Sequence, residues 1–108
     1  MLTIIIPLRN EIENLKNIKE NFDKNLGDIN YEVIFINDFS SDKTLEKVNE
    51  IVNVSKNYKV FNNQKKGLGG ALNLGIEKSD GDYICFIMAD LSDDINDLKN
   101  YYTSIKSG

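Results

Sequence analysis

Two acidic clusters stand at the ends of apolar runs. Asp90, Ser92, Asp93 and Asp94 follow the run 83–89, and Asn37, Asp38, Ser40, Ser41 and Asp42 follow the run 31–36. Carboxylates at the carboxyl end of a buried parallel strand lie where open α/β sheets bind ligands. Oxygen ligands there suit a hard cation such as Mg2+, which in turn suits a diphosphate. A third segment carries Lys65, Lys66, Gly67, Gly69 and Gly70. Its glycines let backbone amides approach a phosphate at a helix N-terminus, and its lysines add charge. A fourth, Pro7 to Glu11, ends the first apolar run. There Asn10 can pair through both amide edges, and Glu11 can accept from ribose hydroxyls. Nucleotide chemistry is the common reading.

Each segment also has a structural reading. Asn10 and Glu11 can cap the first helix, and Ser40, Ser41 and Asp42 the second. Asp93 and Asp94 meet a helix dipole favourably. The glycine segment matches neither the Walker pattern nor the dinucleotide fingerprint, because Leu72 stands where the third glycine belongs. A tight packing turn explains it equally well. Asp38 and Asp90 lack such an explanation. Ser92 divides evenly between cap and metal-shell ligand.

These residues need a frame to position them. Apolar β-branched runs at 2–6, 31–36, 58–61 and 83–88 read as four strands, the first stopped by Pro7. Ile12, Leu15, Ile18, Phe22 and Leu26 recur every three or four residues, which predicts a helix over 11–25. A second helix starts at Ser41 or Asp42 and carries Leu45, Val48, Ile51 and Val52 inward. A third starts near Leu68, with Leu68, Ala71, Leu72, Gly75 and Ile76 on one face. A fourth covers 94–106, with Ile95, Leu98, Tyr102 and Ile105 inward. Strict alternation implies an α/β, Rossmann-like parallel sheet with flanking helices and strand order 3-2-1-4. Run 83–88 is apolar throughout, as in a strand covered on both faces, yet this order puts it at an edge. We expect from this the N-terminal part of a larger domain. The alternative is a small complete domain whose edge a partner covers.

Bulk properties exclude several classes. The 108 residues are 41% hydrophobic and 28% charged, which fits one globular domain. A net charge of −4 argues against nucleic acid and gives no polybasic membrane face. The absence of histidine removes Ser-His and Cys-His nucleophiles. The single Cys85 reads as a small buried hydrophobe. The longest apolar run is far below the ~20 residues of a spanning helix. A cytoplasmic location is expected, with any membrane contact peripheral.

The four motifs, in this order, resemble the nucleotide-binding half of family 2 glycosyltransferases, which have the GT-A fold. They look closest to the dolichyl- and polyprenyl-phosphate sugar transferases. The matching residues are Ile4 to Pro7 with Asn10-Glu11, Asn37 to Thr44, Lys66 to Ala71, and Gly81 to Ile84 with Ala89 to Ser92. The resemblance covers essentially the whole chain. It implies that Pro7, Arg9 and Glu11 border the nucleoside and that Asp38 contacts the base. Lys66 and the Gly67–Gly70 turn, Gly69 included, would lie near the sugar-phosphate. Asp90 would be the metal-binding acid, holding Mg2+ or Mn2+, with Ser92 beside it. The implied donor is a GDP- or UDP-linked sugar. The implied acceptor is a polyprenyl phosphate, bound only if a missing half is supplied, and transfer would invert the anomeric centre. Two departures remove negative charge: the usual acidic pair reads Asn37-Asp38, and the usual Asp-Ala-Asp reads Met88-Ala89-Asp90. A degenerate binding module, self-associating through the strand-four edge, is the second reading. A receiver-like phosphoacceptor is the third, disfavoured because that fold places a lysine after a fifth strand.

Overall fold

The structure is a computed structural model and describes residues 1–90 and 95–106. Its elements run β1 (Leu2–Leu8), α1 (Leu15–Asn25), β2 (Tyr31–Asn37), α2 (Thr44–Val54), β3 (Tyr58–Asn62), α3 (Leu68–Lys78), β4 (Tyr83–Phe86) and α4 (Ile95–Lys106). All strand pairs are parallel and the order is β3-β2-β1-β4, as the alternation requires.

Side-chain alternation sorts the two faces. Ile4, Ile6, Leu8, Val33 and Phe35 pack with Leu15, Ile18 and Phe22 of α1, Val48 of α2, and Ile95 and Tyr102 of α4. Ile5, Ile34 and Ile36 pack on the opposite face against Ala71 of α3. There α3 lies close: a Cβ on Gly75 would stand 2.5 Å from Cγ2 of Ile5. The inward face of α3 is therefore Ala71 and Gly75, with Leu72 half-buried. Leu68 and Ile76, expected inward, are 52% and 46% exposed. Ile105 of α4 also falls outside its expected inward stripe.

Pro7 does not stop β1. It pairs with Ile36 inside the strand. Parallel strands turn alternate residues to alternate neighbours. Leu8 accepts from the Asp38 N–H on the β2 side, whereas Ile5 accepts from the Ile87 N–H on the β4 side. The next donor toward β4 would be residue 7, and proline has none. Pro7 thus ends the β1–β4 ladder, and β4 is shorter than its apolar run. A space opens between Pro7 and Met88.

The first helix also starts later than its periodicity suggests. Asn10 takes a left-handed φ of 56°, and residues 12–14 form a turn closed by the Asn14 N–H on the Glu11 carbonyl. The Asn10 side chain does not cap α1. Its Oδ1 accepts from the N–H groups of Ser41 and Asp42 at 2.8 and 3.2 Å. It thereby ties the exits of β1 and β2 together.

A polar network closes the other end of the sheet. Glu32, 3% exposed, accepts from Thr3 Oγ1 at 2.7 Å, Asp80 N at 2.7 Å and Lys59 Nζ at 3.0 Å. The Gly81 N–H donates to Thr3 Oγ1 at 2.9 Å. A Cβ at Gly81 would lie 2.3 Å from that hydroxyl, so only glycine brings the α3–β4 turn this close.

Candidate functional site

The carboxyl ends of β1 and β2 open into a cleft of about 190 Å3, lined by Pro7, Leu8, Arg9, Glu11, Asp38, Leu68 and Met88. Asp38, 6% exposed, is its buried acid. The placement follows from register. Leu8 pairs with Asn37, and Asn37 with Asn62. One step further, Arg9, Asp38 and Asn63 form a row across three strand exits.

Asp38 is heavily bonded. Its Oδ1 accepts from Asn63 Nδ2 at 2.9 Å. Both its oxygens accept from the Gly67 N–H, at 3.0 and 3.2 Å. Hydrogen bonds to a charged group contribute about 1.5–3 kcal/mol each, so this carboxylate fixes the loop before α3. Gly67 itself has φ 116°, a conformation that side chains rarely adopt. The turn therefore does not offer its Gly67 amide to a phosphate: that donor is already committed to Asp38. Gly69 faces open space, with nothing within 4 Å of a Cβ placed there. Lys66 is exposed and does not line the cleft.

Glu11 is anchored at the rim. Its N–H donates to Thr44 Oγ1 at 3.1 Å, and its Oε2 accepts from Asn14 Nδ2 at 2.8 Å. Glu11 lines the cleft from this anchored position. Asp42 is structural, as its position at a helix start suggests. The Thr44 hydroxyl donates to it and holds its carboxyl below the usual range. Burial pushes the Cys85 thiol up to about 12, so it supplies no thiolate near neutrality.

Asp90 stands apart from this cleft. It lines a larger one, of about 440 Å3, with Ala89, with Asn14 before α1, and with Asn17, Asn21 and Asn25 along that helix. Size does not decide between them. The smaller cleft sits at the strand ends and holds the buried acid, which is where open sheets bind ligands. Ser92 lies outside the described residues. Among the described residues no three acid, cysteine or histidine side chains converge as a metal cage. Asp90 shares its cleft with one other carboxylate, Glu20, and with Lys24. Mg2+ can be held by one or two carboxylates when water and substrate phosphates complete its shell.

Pro7, Arg9, Glu11 and Asp38 are thus brought together, while Lys66, Gly69 and Asp90 are not among them. The sequence reading missed Asn63, Leu68 as a wall, and Met88. Asn63 is hidden because its role depends on the β2–β3 register. Met88 is hidden because it reads as strand.

Comparison with known proteins places the fold and the family. A family model, Glycosyl transferase family 2, matches residues 3–108. The chain is 31% identical over 107 residues to the dolichol-phosphate mannosyltransferase of Pyrococcus furiosus, covering 99% of this chain and 30% of that protein. S. aureus TarS 1–349 superposes with a TM-score of 0.81 at 23% identity, over 98% of this chain and 32% of that one. Mannosyltransferase PcManGT from Pyrobaculum calidifontis, solved in complex with GDP-Man and Mn2+, superposes with a TM-score of 0.73 at 21% identity, over 82% and 27%. The sheet and its helices are those of GT-A glycosyltransferases. The chain spans about a third of the length of the Pyrococcus furiosus relative and of TarS 1–349. With a family model covering residues 3–108, the chain belongs to glycosyl transferase family 2.

Proposed function

We propose that this chain is the donor-binding part of a transferase that moves a sugar from a nucleoside diphosphate to a polyprenyl phosphate with inversion. The observation that carries the reading is the cleft at the β1 and β2 exits, where apolar walls meet a buried acid. At about 190 Å3 it is smaller than the roughly 300–1,000 Å3 of sites that enclose a whole ligand. It suits one planar base. Pro7, Leu68 and Met88 would flank the ring, and Asp38 would accept from a ring N–H with a lone pair its present bonds leave over. Glu11 would accept from ribose hydroxyls. Arg9 would meet the phosphates as they leave the cleft.

Asp90 would hold the divalent ion, which supplies Lewis-acid stabilisation of the departing diphosphate. The bond to form joins an acceptor phosphate oxygen to the anomeric carbon. The bond to break joins that carbon to the nucleotide, which leaves with the electron pair. A phosphate acceptor is already anionic, so no base among these residues is required. Backbone resonance mapping during titration with GDP and UDP tests the cleft. Shifts should centre on Arg9, Glu11, Asp38 and Leu68; shifts centred elsewhere would refute the assignment.

A second reading has its own observation. On the outer edge of β4, Ile84 and Phe86 are 38% and 46% exposed. Their N–H and C=O groups face away from β1, because Ile87 is the residue that bonds to it. No described strand flanks that edge. A second copy of this chain pairing there would make the module self-associating.

A further inference from the structure

We propose that Asn63 is a positioning residue for the nucleotide cleft, holding Asp38 and the Gly67 turn in one geometry so that Leu68 stands as its wall. The inference rests on the donor-cleft reading and extends it to a residue outside the cleft lining.

Asn63 is only 6% exposed and uses both ends of its amide. Its Nδ2 donates to Asp38 Oδ1 at 2.9 Å and to the Gly67 carbonyl at 3.2 Å. Its Oδ1 accepts from Lys65 N at 3.3 Å. The Gly67 N–H returns to Asp38, which closes a ring of three residues. The backbone fixes the two partners independently: the Asp38 N–H bonds to Leu8 O and the Asn63 N–H to Asn37 O. Side chains and ladder thus agree on one arrangement.

What the ring holds is unusual for a merely structural knot. The residue after Gly67 is Leu68, 52% exposed, facing Met88, 47% exposed, at the same cleft. Two large apolar side chains kept uncovered at a buried acid fit a flat, partly apolar ligand with a polar edge. A base has both properties. Removing the Asn63 amide would free the turn and let Leu68 close over apolar neighbours.

Two variants test this, each followed by the Gly67 amide resonance and by calorimetric titration with UDP and GDP. Asn63→Leu keeps the volume and removes the amide; we expect a displaced Gly67 signal and nucleotide affinity down roughly tenfold or more. Asn63→Asp sets two carboxylates at hydrogen-bond distance, which cannot both ionise. One shared proton restores a donor, so its affinity should recover between pH 8 and pH 5.5. Arg9 and Glu11 line the same cleft in the wild type, and Lys65 and Lys66 precede the Gly67 turn; the wild-type pH response is the reference. If Asn63→Leu does not fold, the pH response of Asn63→Asp carries the test. Variants that bind like the wild type at every pH would overturn the positioning role. A wild type that binds neither nucleotide, with its Gly67 signal intact, would overturn the donor-cleft reading and the role that depends on it.

Discussion

Asp38 accepts a 2.9 Å hydrogen bond from Asn63, 25 residues later in the chain and one strand away in the sheet. The contact is set by the β2–β3 register, which places the two residues side by side one step beyond the last paired rung. A carboxylate that lines the cleft is thus held by an amide behind it that looks unrelated in sequence.

The opposite end of the sheet predicts a pH dependence. Burial pushes the Glu32 carboxyl up, but hydrogen bonds from the Asp80 N–H, Thr3 and Lys59 outweigh it and hold the group below its ordinary value of 4.5. A depressed carboxyl contributes stability that is fully present above the unfolded value and is lost as pH falls through the folded one. Urea midpoints should therefore decline below pH 4.5. Glu32→Gln should flatten that limb and cost about 1–3 kcal/mol at pH 7. The hydrogen bond to Glu32, then that to Asp80, raises Lys59 above its ordinary 10.5. Its contribution is present below 10.5 and fades at higher pH.

Two neighbouring glycines should respond with opposite signs. Gly69 has open space where a Cβ would go, in the first turn of α3. Gly69→Ala should stabilise by about 0.5–1 kcal/mol through helix propensity. At Gly70 a Cβ would sit 2.3 Å from the Lys65 carbonyl oxygen. Gly70→Ala must move backbone and should destabilise by about 1–3 kcal/mol. Thermal melts of the two variants decide; equal shifts would contradict the loop geometry.

Strain at the β2 exit offers a third check. Phe39 holds φ 58° with its side chain 50% exposed. A left-handed conformation costs a side-chain-bearing residue roughly 1–2 kcal/mol. Against this, glycine costs about 0.5–1 kcal/mol in chain entropy. Phe39→Gly should therefore stabilise by about 0.5–1 kcal/mol, read as a higher urea midpoint.

Much of the frame was legible because it rests on periodicity. Alternating apolar runs fixed four strands, and the pattern Leu15, Ile18, Phe22 fixed the α1 face. Asp38 could be singled out because an acid at a strand end has no local excuse. Local rules failed where tertiary contacts overrode them. Pro7 reads as a strand stop, yet it ends only the ladder toward β4. Leu68 and Ile76 fit a helical stripe, but the close approach of Gly75 to Ile5 rotates the buried face away from them. Asn10 reads as a cap for its own helix and instead serves the loop before α2.

The β4 edge gives a solution test. Natural edges carry charge to prevent pairing, and this one carries none between Tyr83 and Phe86. Sedimentation should show concentration-dependent dimers that Phe86→Lys abolishes. A wild type that stays monomeric at high concentration would remove the self-association reading.

The central claim is a metal-assisted nucleotide site. Calorimetric titration of the wild type and Asp90→Ala with GDP and UDP, with and without Mn2+, tests it most directly. The account predicts binding to one nucleotide that Mn2+ strengthens, with that metal-dependent gain lost in Asp90→Ala, a fall of roughly tenfold or about 1.4 kcal/mol. A folded wild type that binds neither nucleotide, with or without the metal, would contradict it.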